Sequence, residues 1–452
     1  MSFTWSRGLA TLGLVWYTIL WSIGLLGCWA ARKRYRLRPR SPLASSPSSS
    51  VPGVSILRPL KGLDTNLYEN LESSFTQEYP NFEILLSVDS EADQALSVVR
   101  ELLEKYPRVN ARIVISNEDV GLNPKVNNLM RSYREAAHDI LWVLDSNIVV
   151  APGTLARAVD VLSQPVTPGK RRIALVHHVP FAFINQPAIG SRIEEAFLNT
   201  NHAKMYLAIN TTAIDSCVMG KSNLYRRSDL ELVNGSLKHR REPPEDDGRG
   251  FGLAAFGRYL AEDNMIAGAL WHELDLRHDL SCDVAKNAIG SMSFSDYVWR
   301  RVRWIRVRKL MTLPATLVEP VTECVVVSLL AAACLRTLLG VHPLLFLPLH
   351  YAFWLWVDLD VYASLAGYPL PASRRWSFLA AWVARELLAL PIWTLAMVGN
   401  TVEWRGRKYR ILRNGEVGRA AEGSFFSRMI RRGSTKQHEY DLHEPLLENG
   451  LR

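Results

Sequence analysis

Four charged clusters carry most of the chemistry that this sequence offers. Asp89 closes the apolar run FEILLSV and is followed by Asp93 in SVDSEAD. Asp145 closes ILWVL in the setting LWVLDSN, and Glu262-Asp263 lies in YLAEDNMIAGAL. Arg300-Arg301-Val302-Arg303-Trp304 follows further on. Carboxylates can hold a base or ribose, bind a hard divalent cation such as Mg2+ or Mn2+ through oxygen, or take a proton from a hydroxyl. Asp145 is the metal candidate, because a carboxylate at a strand end points into the crevice where sheet proteins bind ligands. Asp89 and Asp93 are the nucleoside candidates, and Asp263 is the candidate base. The arginines suit a diphosphate, which guanidinium grips bidentately, and Trp304 can wall an acceptor. Each has a plainer alternative. Asp145 can cap a turn, Asp89 and Asp93 can sit on a surface loop, and Glu262-Asp263 can favour a helix N-terminus. The arginines can belong to a membrane-surface helix, a role compatible with the first. His202 and Cys217 are lone residues of types that are usually structural.

These residues need a scaffold. Short apolar runs at 54–57, 82–88, 111–115, 140–144 and 174–176 read as strands, with helical patterns between them, as at 95–106. Such alternation predicts an α/β domain with a mainly parallel sheet over 54–293. Residues 234–250 are polar and Pro-rich and read as an inserted surface loop, regulatory or neutral rather than catalytic. The Asn234-Gly235-Ser236 acceptor for glycosylation would stay unmodified in the cytosol.

The apolar residues gather at the two ends of the 452-residue chain. Residues 8–31 contain no charge, and about 24 residues at 1.5 Å each exceed the roughly 30 Å of hydrocarbon. The run is too long for a signal-peptide core. Arg32, Lys33, Arg34, Arg36, Arg38 and Arg40 follow it, which places the N-terminus in the lumen and the next domain in the cytosol. Residues 41–53 form a Ser/Pro linker. Residues 294–313 interleave aromatic and basic residues and suit a helix in the membrane interface. Three further spans are expected at 316–339, 342–365 and 378–398. Their charges, Glu319, Glu323, Asp358, Asp360, Arg385 and Glu386, must pair, face a cavity or lie near an interface. Three spans would leave the C-terminus in the lumen, yet Arg405, Arg407, Lys408, Arg410 and Arg413 argue for the cytosol. After Asn414 a disordered tail is expected. The net charge of +9 concentrates beside the spans. That distribution favours membrane lipids, and the absence of zinc-finger or RNA-binding spacing argues against nucleic acid. The five irregularly spaced cysteines fit a reducing compartment.

Asp93 or Asp89, then Asp145, then Asp263, then Arg300-x-x-Arg303-Trp304, resembles the ordered motif set of inverting GT-A glycosyltransferases. The phrases VSILRPLKGLDTNLYENLESSF, VGLNPKVNNL, YLAEDNMIA, RRVRWIRVRKLMTLPAT and EWRGRKYR resemble the ceramide glucosyltransferase family over residues 54–413. That resemblance implies a GT-A (Rossmann-like) catalytic domain with membrane-spanning helices. It implies UDP-glucose as donor, ceramide as acceptor and a divalent metal on Asp145. The expected setting is the cytosolic face of Golgi or ER membranes. It maps the first aspartate to Asp93, with Asp89 as a rival, and the base to Asp263. It adds Lys125, His202, Cys217, Arg300, Arg303 and Trp304 to the donor site. Asp145-Ser146-Asn147 departs from a full DxD, so one carboxylate must suffice. A processive polysaccharide synthase, a transferase for another lipid, and a catalytically dead scaffold are the competing readings. A homo-oligomer is left open.

Overall fold

The computed structural model describes residues 2–419 except 117, 240–247, 249, 405–406 and 413–414. Most of the expected inserted loop and the tail beyond 419 lie outside the described residues.

The chain opens with helix α1 (Ser2–Tyr35). The catalytic-domain elements follow in the order β1 (Val54–Pro59), α2 (Leu67–Phe75), β2 (Phe82–Val88), α3 (Ala95–Lys105), β3 (Ala111–Ile115), α4 (Pro124–Glu135), β4 (Ile140–Leu144), β5 (Ile148–Val149) and α5 (Thr154–Leu162). Then come β6 (Ile173–Ile184), α6 (Ile189–Phe197), a π-helical turn at Leu198–His202, α7 (Ala203–Thr212), β7 (Ser222–Arg226), α8 (Arg227–Leu230), α9 (Glu262–His272) and β8 (Arg277–Ile289). Among the described residues these strands make one sheet in the order β3-β2-β1-β4-β7-β6-β8-β5. The first four are mutually parallel, and β7 runs antiparallel to β4 and β6.

The central strands are apolar on both faces because helices cover both. Successive side chains alternate across the sheet. Ile56, Ile84 and Trp142 pack with Leu71, Val99 and Val159 from α2, α3 and α5. Leu57, Leu85, Leu141 and Val143 pack with Leu129 from α4 and Ile266 from α9 on the other side. The expected strands at 82–88, 111–115 and 140–144 coincide with β2, β3 and β4. The strand expected at 174–176 extends to Ile184. Pro180 does not end it, because β7 pairs only with Leu175–His177 and a register shift falls between His177 and Val179.

After β8 come α10 (Phe294–Lys309), α11 (Leu313–Val318), α12 (Cys324–Leu339), α13 (Pro343–Ala366) and α14 (Arg375–Met397). By length and composition, Ser6–Tyr35, Pro343–Ala366 and Ala372–Met397 are each able to cross a membrane. The single helix expected at 316–339 is broken. Leu313–Thr322 meets Cys324–Leu339 at 65°. Pro320 lacks an N–H, and Glu323 adopts an extended backbone at the start of α12. α12 and α13 pack against α1, whereas α14 packs along α10 and α6. Lys309 Nζ donates to the carbonyls of Ala396, Met397 and Gly399 and so caps α14 with a cation.

The basic segment then forms a second sheet of β9 (Thr401–Trp404), β10 (Arg407–Ile411) and β11 (Val417–Arg419). The stretch expected to be disordered after Asn414 therefore begins with a strand. Val417 N donates to Arg258 O, and Arg306 Nη1 donates to Thr401 O. The small sheet thus lies against the catalytic domain.

The charges within the apolar segments are paired. Asp360 accepts from Arg32 and Arg36, Glu319 from Arg308, and Glu323 and Glu386 from Arg385. Lys204 Nζ reaches Asp358 Oδ1 at 2.7 Å, with both side chains almost fully buried. Trp382 Nε1 donates to the other Asp358 oxygen at 2.8 Å, and Trp354 lies 4.1 Å from the ammonium. This pair bolts α7 of the catalytic domain to α13. Breaking a buried pair by removing one partner costs roughly 3–5 kcal/mol, because a bare charge remains. Asp358→Ala should therefore lower the melting temperature in detergent sharply. Lys204→Met combined with Asp358→Leu should recover much of the loss. A double variant as unstable as the single one would mean that the pair is not the bolt.

Candidate active site

β2 and β4 flank β1 in parallel, so their carboxyl ends open on the same edge of the sheet. The chain order reverses there, from β1–β2 on one side to β4 on the other, which is where open α/β sheets bind ligands. Asp89 follows β2 and Asp145 follows β4. Two helix starts complete the crevice. Asn123 Oδ1 caps α4 by accepting from the backbone N–H groups of Lys125 and Val126. Glu262 and Asp263 occupy the first turn of α9, where the helix dipole favours acidic groups.

Lys125 is the hub. Its ammonium lies 2.9 Å from Asp145 Oδ1, 2.9 Å from Glu262 Oε1 and 3.0 Å from Asp263 Oδ2. Lys221 Nζ takes the other Asp145 oxygen at 2.9 Å and reaches Asn147 Oδ1 at 3.4 Å. Asn223 Nδ2 donates to Asp263 Oδ1 at 3.1 Å, and Asn123 Nδ2 donates to Glu262 Oε2 at 2.7 Å. Burial alone would raise the Asp145 carboxyl, but Lys125 and Lys221 outweigh it and hold the group well below the usual range. Burial would lower Lys125, and its three carboxylates push it well above the usual lysine value. Glu262 goes the other way. Burial, and then the neighbouring Asp263, push it up to about 8.

Gly220 closes the back of the site. A Cβ built there would stand 1.8 Å from Asp263 Oδ2, so only glycine lets the β7 approach run against the aspartate.

The other expected residues divide into groups. Asp93 Oδ1 accepts from Gly62 N and Ala95 N, both at 2.9 Å, so it ties the loop after β1 to the start of α3. Asp89 pairs with Lys61 through one oxygen, while its buried Oδ1 has no hydrogen-bond partner. The two rivals are thus near the same loop with different freedom.

Trp304, like Met219 and Met292, packs against the buried cluster of Ala182, Phe197, Leu198 and Ile289. His202 lies between Phe197 and Tyr206 and 6.5 Å from Trp304. Burial, with Arg301 second, pushes its imidazole down to about 3, so it is neutral. Cys217 N–H donates to His278 Nε2, and burial pushes its thiol up to about 11. That thiol is not a thiolate at neutral pH. Arg300 Nε is held by Glu194 at 2.9 Å, and Arg303 leans toward the Glu403 carbonyl at 3.5 Å. Burial, then Arg300, lower Arg303 to about 10. Among the described residues, neither arginine bonds to the carboxylate cluster. The link between the two halves is the Cys217–Gly220 segment: Met219 packs on the same apolar cluster as Trp304, and Gly220 abuts Asp263.

Sequence reasoning missed Lys221, Asn123, Asn223, Asp64 and Arg58. Arg58 is buried beneath the crevice, with Nη1 and Nη2 both 3.3 Å from Ile148 O. Burial lowers it to about 9 against the pull of Asp145 and Asp64. The basic residue inside an otherwise apolar strand, VSILRP, was its available signal. Asn223 lies on β7 and Lys221 directly before it, and no sequence period announced this antiparallel strand.

Two residues of the site suit a hard cation: Asp145 by its carboxylate and Asn147 by its amide oxygen. Among the described residues no group of three or more His, Cys, Asp or Glu is arranged to hold an ion. Both Asp145 oxygens face ammonium groups. The residues present therefore fit a metal that arrives with ligands of its own, and not a preformed cage.

A profile of glycosyl transferase family 21 matches residues 14–417. The chain belongs to glycosyl transferase family 21. Family-21 membership makes it a glycosyltransferase, with the carboxylate crevice as its candidate active site. The relatives include a ceramide glucosyltransferase of Komagataella phaffii, 37% identical over 89% of this chain and 90% of the relative. Another, of Pyricularia oryzae, is 33% identical over 89% and 93%. Ceramide glucosyltransferase 3 of Caenorhabditis elegans is 30% identical over 90% and 82%. Among solved structures, a mannosyltransferase of Pyrobaculum calidifontis with GDP-Man and Mn2+ aligns at a TM-score of 0.45 and 18% identity, covering 87% of this chain and 98% of its own.

The raised Glu262 has a consequence that can be measured. The folded protein keeps this proton up to about pH 8, while the unfolded chain releases it near 4.5. Between those values the unfolded state binds fewer protons, so stability falls as pH rises. Glu262→Gln has no proton to lose. Its melting temperature should gain on that of the parent from about pH 4.5 to about 8 and level off above. A gap that does not change with pH would show that Glu262 is an ordinary carboxylate.

Proposed function

We propose that this family-21 enzyme transfers glucose from UDP-glucose to ceramide with inversion, giving β-glucosylceramide in sphingolipid synthesis. The observation that carries the reading is the convergence of Asp145, Glu262 and Asp263 on Lys125 at the switch point of the sheet. The names of the relatives point the same way.

The roles follow from position. The free Asp89 oxygen is the acceptor for a donor N–H of the uracil, and Asp93 orders the loop beside it. Asp145 and Asn147 would hold Mg2+ or Mn2+ on the diphosphate side of the crevice. Such an ion supplies Lewis-acid neutralisation of the leaving group. Arg300 and Arg303 add positive charge on the diphosphate side once the donor is seated. Asp263, oriented by Lys125 and Asn223, takes the proton of the primary hydroxyl. The freed oxygen pair forms the bond to the anomeric carbon. The bond from that carbon to the β-phosphate oxygen breaks, and its pair leaves with UDP. Trp304, with His202 behind it, walls the acceptor side.

The topology follows from packing. α12 and α13 pair with α1 and cross the bilayer, the broken α11 segment re-enters the leaflet, and α14 lies in the interface beside α10. Two C-terminal crossings return the basic sheet of β9–β11 to the side of the catalytic domain, which supports a cytosolic C-terminus. On this reading the spans and the basic segment agree. A Golgi or ER membrane is the proposed site of action.

The test is transfer of labelled glucose from UDP-glucose to ceramide by purified protein in nanodiscs, with and without Mn2+. The expected product is β-linked glucosylceramide, with its yield dependent on the ion. An α-linked product would refute the single displacement. Bound UDP-glucose with no transfer to ceramide would assign the enzyme to a different lipid.

A further inference from the structure

A polar chain lies buried where the interfacial and membrane helices meet. Arg385 Nη2 bonds Glu323 Oε2 at 2.7 Å, and Arg385 Nη1 bonds Glu386 Oε1 at 2.6 Å. Asn201 Nδ2 donates to Glu323 Oε2 at 3.3 Å. All four residues are buried, with relative exposures of 2% for Arg385, 4% for Glu386, 6% for Asn201 and 9% for Glu323. Ionisable groups at such depth are costly, and those retained tend to serve a ligand path.

Each residue comes from an irregular place. Asn201 is in the π-helical turn Leu198–His202, a rare form of helix that is frequent at functional sites. Glu323 sits at the break between α11 and α12, and Arg385–Glu386 lie on α14 before its internal Pro391.

Two acceptor atoms in this chain have no partner. They are Asn201 Oδ1 and Glu386 Oε2. An unmade hydrogen bond on a buried acceptor costs about 1–3 kcal/mol, so two such atoms in one connected network call for donors. The chain also adjoins the reaction centre. Asn201 precedes His202, which faces Trp304. Trp304 and Met219 pack on one shared apolar cluster, and the residue after Met219, Gly220, abuts Asp263.

We propose that Asn201, Glu323, Arg385 and Glu386 form a socket for the polar head of the sphingoid acceptor. Asn201 Oδ1 and Glu386 Oε2 accept from its amide N–H and its secondary hydroxyl. Two donors on the lipid then meet two unsatisfied acceptors on the protein, and the primary hydroxyl is left for Asp263. The inference rests on the proposed acceptor class. It deepens that reading by giving a reason why an acceptor with both an amide and a secondary hydroxyl would be chosen over a simple lipid alcohol.

The experiment uses the full chain in nanodiscs and compares ceramide with an analogue lacking the secondary hydroxyl. A site built to bond a hydroxyl rejects the analogue that lacks it, so the parent should prefer ceramide by about tenfold or more in kcat/KM. Glu386→Gln should bring the preference within about twofold and raise the KM for ceramide, with the KM for UDP-glucose unchanged. Asn201→Ala removes only a single 3.3 Å bond within the protein, so it serves as the variant least prone to unfold. It should raise the KM for ceramide in the same way. Folded variants that keep the parent's preference and its KM would overturn the socket and leave the network as an ion-pair bolt. A parent that glucosylates no ceramide would instead overturn the acceptor reading beneath it.

Discussion

One buried ammonium organises the candidate active site. Lys125 stands within hydrogen-bond reach of carboxylates from the end of β4 and the start of α9. Without it, three acidic groups would share one desolvated crevice, and charges buried without partners are not sustained. The arrangement explains several features together. Glu262 resolves part of the crowding by keeping its proton. Lys221 supplies a second counter-charge to Asp145. Asn123 and Asn223 fix the remaining oxygens without adding charge. With Glu262 holding its proton, the charges of Asp145 and Asp263 balance those of Lys125 and Lys221.

The second constraint is physical access. A nucleotide sugar comes from water and a ceramide from the bilayer, so the crevice must be held at the membrane surface. The Lys204–Asp358 pair and the Trp382 bond join the catalytic domain to α13 inside the apolar layer. Arg374 with Glu195, and Lys309 with the end of α14, join it to the interfacial helices. The polar atoms of the interfacial region are therefore tied to the domain that carries Asp263. The distance between lipid and carboxylate is set by the fold rather than by diffusion of two loosely tethered parts.

Much of this was legible in the sequence. β2, β3 and β4 could be read because each is a bounded apolar run ending at a polar residue. Asp145 and Asp263 could be ranked because a strand end and a helix start are the positions where carboxylates meet ligands. What could not be read depends on contacts distant in sequence. Lys125 was named only through family resemblance, and its three partners lie up to 138 residues away. Lys221 and Asn223 enter through an antiparallel strand inserted between β4 and β6. The break at Glu323 escaped a reading by hydropathy, because the apolar residues continue on both sides of it. Pro320 was the visible sign of the break. The family resemblance preferred Asp93 to Asp89, and only the structure shows that Asp93 accepts from Gly62 and Ala95 while Asp89 pairs with Lys61.

The assignment of Asp263 as the base is the claim from which the mechanism hangs. Its most direct test is the single-turnover rate of glucose transfer by Asp263→Asn, measured beside UDP-glucose affinity in the same preparation. Asparagine keeps the size and the contact with Asn223 but cannot take the proton. The account predicts a rate lower by about 10²–10⁴-fold with donor affinity changed only slightly. A rate within about twofold of the parent, in a protein that binds UDP-glucose normally, would contradict it.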